Sequence, residues 1–223
     1  EEEVDKSILH QKALENSLVE KELLIKEVHH RVKNNMQVIS SLLSIQAEGA
    51  GDEVYSSLLN ESQQRIKSMA LIHETLYQSK DLLKIDFQEY IESLTNSLSR
   101  SYTVPGVSVF VDVTVENVLL DLATAVPCGL VINELVSNAL KHAFHDKEET
   151  GIIDIDFVST DCSYDLRIAD NGVGLPSGFD LSKNTSMGLE IVTILTDQLE
   201  GTLSAYNDGG AVFQIQFPRI LNE

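Results

Sequence analysis

The chain has 223 residues, 43% of them hydrophobic, and a formal net charge of -19. That length and apolar content can supply one large core or two modest ones, while the acidity, with no basic stripe to offset it, excludes broad nucleic-acid binding. Cys128 and Cys162 stand in separate segments and in no CxxC pair, so neither a disulfide framework nor a zinc site is expected.

The opening "EEEVDKSILH" enters a helical pattern without a capping residue, and a longer helix running down from an upstream sensor domain is expected. From about 8 to 46 there is no Pro or Gly. Leu14, Leu18, Ile25, Val28, Val32, Ile39 and Leu42 recur at helical spacing, with Lys21 and Asn35 interrupting the seam. "EGAGDE" then breaks the helix with two glycines. A second helix is expected from about 54 to 79, with Leu58, Leu59, Ile66, Met69, Ile72 and Leu76 on its apolar side. The two make an antiparallel hairpin that cannot bury its stripe alone. It should pair with a second copy as a four-helix bundle or pack on the next domain.

Within the first helix, "KEVHHRVKNNMQ" sets two histidines side by side. With Val28 and Val32 as heptad positions d and a, His29 falls at e, bordering the seam, and His30 at f, facing away from it. Adjacent helical residues diverge, which disfavours a shared metal. A pair of solvated surface histidines is the plain alternative to a reactive one.

After about residue 81 the pattern mixes. "LLKIDF" is a short strand candidate, "FQEYIESLTNSLSRSY" a helix, "GVSVFVDV" an alternating strand, and "LATAVPCGLVINELVSNALKHAF" (122–144) a long apolar helix. "IIDIDFVS" and "YDLRIAD" read as strands, followed by the Gly-rich "NGVGLPSG" and a helix from about 186 to 199. "GTLSAYN" and "GGAVFQIQF" form a closing hairpin with its turn at "NDGG". The expected class is α+β: a helical hairpin over 1–80, then an α/β sandwich over 81–223, one sheet covered by helices on one face. No uninterrupted apolar run approaches membrane-spanning length and no signal peptide opens the chain. No direct membrane segment and a cytoplasmic location are therefore expected, including as the cytoplasmic part of a membrane-anchored sensor.

Three stretches carry chemistry. In the helix 122–144, Glu134, Asn138 and Lys141 share one face, flanked by Asn133 and His142. Hard oxygens and a cation suit a magnesium–triphosphate; an exposed polar stripe on an amphipathic helix would look the same. "DNGVGLP" ends a strand on Asp170, placed to accept from an exocyclic amine such as that of adenine, with Gly172 and Gly174 letting the backbone approach a ligand. "SMGLEIV" puts Gly188 just inside a helix start, where free N–H groups suit phosphate, and the preceding "SGFDLSKNT" reads as a lid-like loop.

In this order the three resemble the N, G1 and G2 boxes of the Bergerat ATP-binding fold, shared by histidine kinases, anti-sigma-factor serine kinases and ATPases of the gyrase, Hsp90 and MutL type. "EVHHRVKNNMQVISSLLSIQ" and "RIKSMALIHETLY" resemble the dimerisation and phosphoacceptor hairpin of histidine kinases of the second HisKA type, related to the HWE kinases, so the resemblance covers about 23–217. It implies ATP and Mg2+ as cofactors, with Asn138 on the metal and Glu134 acting through its water. It puts Asp170 on adenine, gives Gly172, Gly174 and Gly188 close backbone approach, and sets Asn133, Lys141, His142, Thr185 and Met187 around the nucleotide. It also implies His30, which precedes the Arg–Val–Lys–Asn run, as phosphoacceptor, a response-regulator receiver domain as partner, and a homodimer. Glu27 and Asn34 lie at i−3 and i+4 on the face of His30. Glu27 is expected to orient the ring or take its proton, Asn34 to position water for dephosphorylation, and Arg31 or Lys33 to neighbour the phosphate. Two departures concern the phosphate side: Ser186 stands where the second box usually carries glycine, and Ala211 follows Gly209 and Gly210 where Thr is common. The expected function is that of a two-component sensor histidine kinase. A Bergerat-fold serine kinase or ATPase, or a degenerate kinase serving as a dimeric scaffold, are the alternatives.

Overall fold

A computed structural model of the chain describes residues 2–49, 51–78, 85–102, 107–145, 150–183 and 186–219. Helices α1 (Glu2–Gly49) and α2 (Glu53–Gln78) form the expected hairpin, broken at Gly49 and Gly51. The Asp52 carboxylate accepts from the Val54 N–H at 2.8 Å and so starts α2. What closes the hairpin is a polar and small-residue face. His29 Nδ1 meets His73 Nδ1 at 2.9 Å, Lys33 pairs with Glu74, Gln63 donates to the Ser40 carbonyl, and Ser56 to that of Ala47. The apolar seam points elsewhere: Ile25, Val28, Ile39 and Leu42 are exposed. Ile72 alone of the α2 stripe is fully buried, in the core of the following domain, and Leu76 lies outside the described side chains.

The rest of the chain is one layered domain. In chain order it runs β1 (Ile85–Asp86), α3 (Phe87–Ser101), β2 (Val109–Glu116), β3 (Leu119–Leu120), α4 (Leu122–His142), β4 (Gly151–Ser159) and β5 (Ser163–Asp170). A 3-10 turn (Leu181–Lys183), α5 (Met187–Gln198), β6 (Thr202–Asn207) and β7 (Ala211–Pro218) follow. The main sheet has the order β2-β4-β5-β7-β6. β2 and β4 are parallel, because α4 returns the chain between them, and the other pairs are antiparallel. Period-two alternation sorts its faces. Ile153, Ile155, Phe157, Leu166, Ile168, Phe213 and Ile215 turn inward, while Arg167 and Asp156 pair at 2.9 Å on the other side.

Helix α4 is the centre of the domain. Asp121 caps it by accepting from the Thr124 N–H at 2.9 Å, and from Ala125 onward it is buried almost throughout. It is also, among the described residues, the one helix long and apolar enough to cross a membrane, where none was expected. Since 67% of that window is buried, its apolar surface is spent on the domain core. The pairing of β1 with β3, Ile85 opposite Leu120, lay beyond the sequence reading because β3 is only two residues long.

Candidate functional site

A cavity of about 480 Å³ opens between α4, the end of β5 with its following loop, the start of α5 and the start of β7. That is the size of a small-molecule site. Asn138, His142, Asp170 and Ser186 bring polar groups to walls that include Leu135, Ile168 and Phe213. Two larger grooves, of about 610 and 550 Å³, run along the contact of α2 with the domain and hold none of the three sequence boxes' glycines.

Asp170 ends β5 with its carboxylate held in place. Oδ1 accepts from the N–H of Gly172 at 2.8 Å and of Ala211 at 3.2 Å. A Cβ on Gly172 would run into the Ala143 carbonyl, so only glycine lets this loop lie against the end of α4. Gly174 has φ +76°, a region that L side chains rarely adopt. The loop is pinned from β6: Asn207 Oδ1 accepts from the Leu175 N–H at 2.7 Å, and its Nδ2 donates to the Leu175 carbonyl at 3.0 Å. Sequence reasoning took "NDGG" only as a turn and passed over Asn207. An Asn at a strand end opposite a Gly loop is the one local signal it left.

At the other end of the cavity, a Cβ on Gly188 would lie 3.0 Å from Glu134 Oε2 and 3.5 Å from Asn138 Nδ2, so the second box does meet the polar face of α4. Asn133, buried, donates to Glu134 Oε1 at 3.1 Å, and its own Oδ1 has no hydrogen-bond partner among the described residues. No cluster of three or more His, Cys, Asp or Glu forms a cage among those residues. A magnesium ion carried by nucleotide phosphates needs only one or two protein oxygens. The buried amide oxygen of Asn133, the carboxylate of Glu134 and the cavity-lining Asn138 fit that demand.

The remaining expected residues are distributed differently. Glu134 is bound in two-armed fashion by Arg65 of α2, Nε to Oε1 and Nη2 to Oε2, both at 2.8 Å. Lys141 does not line the cavity: it pairs with Glu61 of α2 at 2.7 Å and lies over the Tyr102 ring at 5.2 Å. Met187 is exposed, its sulfur 3.7 Å from Arg65 Nη1. Thr185 lies outside the described residues. Arg65 and Glu61 were not singled out from the sequence, where they read as ordinary helix-surface charges.

On α1, His30 is exposed and His29 is half-buried. His30 Nδ1 is 3.3 Å from Asn34 Nδ2, whereas Glu27 is turned to Arg31 at 2.7 Å. Of the two expected neighbours, Asn34 touches the ring. Burial first, and the facing His29 second, hold the His73 imidazole below its ordinary pKa. His30 is not among the residues lining the cavity.

Comparison with known proteins places these parts. Residues 27–102 match the family described as histidine kinase, and residues 124–220 that described as histidine kinase-, DNA gyrase B-, and HSP90-like ATPase. The chain is 33% identical over 214 residues to the sensor histidine kinase PdtaS of Mycolicibacterium smegmatis, covering 93% of this chain and 42% of that protein. It is 27% identical over 203 residues to blue-light-activated histidine kinase 2 of Erythrobacter litoralis, covering 86% of this chain and 56% of that one. It thus spans less than two thirds of these relatives. The solved histidine kinase domain of the Erythrobacter litoralis EL346 blue-light activated histidine kinase superposes with a TM-score of 0.64 at 24% identity, over 87% of this chain and 92% of that chain, a likeness of fold.

Proposed function

The chain belongs to the histidine kinase family, and from that premise we propose that it transfers the γ-phosphoryl group of ATP to His30 and passes it on to an aspartate of a response-regulator receiver domain. The observation that carries this reading is the coexistence of a nucleotide-sized cavity closed by Asp170 and Asn138 with an exposed His30 on the hairpin whose second helix, α2, packs against the same domain. Asp170 would read the adenine amine, and the N–H groups at the start of α5, opened by Gly188, would take phosphate oxygens. Asn138 and Asn133 would supply oxygens for a magnesium ion, which when bound would offset phosphate charge. The lone pair of one His30 nitrogen forms the P–N bond as the bond to the β,γ-bridging oxygen breaks. The proton on the other ring nitrogen then leaves to solvent, or to Glu27 once its pair with Arg31 opens.

The chain's work is positioning, since phosphoryl transfer asks for little covalent help from the protein. A homodimer through the outward seam of α1, and an upstream sensor domain supplying the input, complete the reading.

The test is incubation with γ-labelled ATP of the wild type, His30→Ala and His29→Ala. Label should be lost in His30→Ala and kept in His29→Ala, and it should be acid-labile and base-stable. Acid-stable label would point instead to a serine kinase of the same fold. Label kept in His30→Ala would overturn the acceptor assignment.

A further inference from the structure

The hairpin and the ATP domain are joined by a packed and charged contact as well as by the chain between them. Ile72 of α2 is fully buried in the domain core. It lies against Gly129 of α4, where a Cβ would come within 2.7 Å of Ile72 Cδ1. Eight and twelve residues before His73, Arg65 and Glu61 mark the stretch of α2 that meets the polar face of α4. There Arg65 grips both oxygens of Glu134, with side-chain exposures of 13% and 4%, and Glu61 holds Lys141. The guanidinium also reaches Met187, the residue before Gly188.

Two consequences follow from chemistry. A carboxylate this buried needs a cation beside it, and removing one partner strands the other. Glu134 therefore has its positive charge from a guanidinium; a metal ion held by Asn138 would bring a second one, and two cations beside one carboxylate repel. The second consequence is geometric. Arg65 is eight residues from His73, roughly 12 Å along α2 at 1.5 Å per residue, and His73 is the residue that marks the level of His29. Gly188 meets Glu134 beside Arg65, so this contact holds that end of the cavity about two helical turns along α2 from the level of His29 and His30.

We propose that Arg65 is an autoinhibitory latch: it neutralises Glu134 in the nucleotide-free chain, fixes the ATP domain below the phosphoacceptor, and is displaced when magnesium–nucleotide binds. Lys141 and Glu61 form its second point of attachment. The proposal rests on the ATP-binding reading above. Coupling is reciprocal: a nucleotide that opens the latch must bind more tightly once the latch is gone.

The experiment uses the full chain with spin labels on Cys162, which is exposed, and on a cysteine introduced as Glu48→Cys, also exposed; Cys128 is buried and unreactive. Labelled chains are diluted into unlabelled excess so that only distances within one chain are read. Magnesium–ADP should shift the wild-type distance distribution, while ADP with a chelator should not, an arm that needs no latch variant. Arg65→Met should show the shifted distribution without nucleotide and bind magnesium–ADP roughly fivefold or more tightly. Arg65→Lys, which keeps the charge but not the two-armed bond, should fall between. Equal affinity and unchanged distances in Arg65→Met, or a wild type that moves as much with chelated ADP, would overturn the latch. No nucleotide binding in either protein would overturn the functional reading itself and the latch's release with it.

Discussion

A neutral imidazole attacks only through the nitrogen that carries no proton, so whatever faces its other nitrogen selects the nucleophile. At His30 that neighbour is the Asn34 amide, 3.3 Å from Nδ1. In the structure the amide presents Nδ2 to Nδ1; once turned to present its oxygen, it accepts from Nδ1–H and leaves the lone pair on Nε2 for the attack. Asn34→Leu removes one hydrogen bond worth about 1 kcal/mol, and should slow autophosphorylation roughly fivefold with ATP affinity unchanged, while Asn34→Asp, still an acceptor, should lose less. Single-turnover labelling at saturating ATP separates the two. The second histidine pair makes a pH prediction. His73 is buried against His29 and its pKa is lowered, burial being the larger cause. The unfolded chain therefore binds this proton more readily than the folded one. The stability contribution is whole above the unfolded pKa of about 6.5, and is lost as pH falls from there through the lowered folded value. Because a chain of charge -19 carries its own pH dependence, the measurement is a difference. Urea midpoints of wild type minus His73→Gln, taken from pH 8 to pH 5, should decline toward acid; a flat difference would sink the assignment.

Between elements, the tightest fit is where α3, α4 and α2 meet. Tyr90 is fully buried and its hydroxyl has no hydrogen-bond partner among the described residues, and a Cβ on Gly129 would overlap that hydroxyl. Tyr90→Phe removes an unsatisfied polar atom and should raise stability by up to about 1 kcal/mol. Gly129→Ala should cost about 1–3 kcal/mol by overpacking, part of it recovered in the double variant; thermal melts of the four proteins decide it. None of this was legible beforehand, because a Gly in an apolar helix announces a close approach but not to what. The order of elements, the Gly-loop after β5 and the polar face of α4 were legible, since periodicity and turn residues are local signals. The partners of that polar face were not. Arg65 with Glu134 and Glu61 with Lys141 stand 69 and 80 residues apart, and a surface charge carries no mark of the opposite charge it will meet. The same limit applied to α1, where spacing identified an apolar stripe and left open which helix it faces.

At the scale of the whole molecule that stripe is a run of exposed apolar side chains among the described residues. Val28, Ile39, Leu42 and Ile45 on α1, with Val54 and Leu58 at the start of α2, are between 42% and 69% exposed, while the contact of α1 with α2 uses His29, Lys33, Ser40 and Ala47 instead. An acidic chain gains solubility from its charge, but charge elsewhere does not remove the cost of leaving these side chains in water. A two-fold pairing of hairpins buries the stripe against itself, and each residue then counts twice. At about 1.5–3 kcal/mol for burying one large aliphatic side chain, Leu42→Glu should weaken pairing by about 3 kcal/mol or more, which is over a hundredfold in dissociation constant. Mass in solution across a dilution series should show wild-type dimers where Leu42→Glu and Ile45→Glu are monomers. Nucleotide affinity should be equal in all three, because the cavity lies on α4, β5, α5 and β7. A dimer that survives both substitutions would assign this face to another contact, and loss of nucleotide binding along with the dimer would mean that the hairpin's pairing shapes the ATP domain as well.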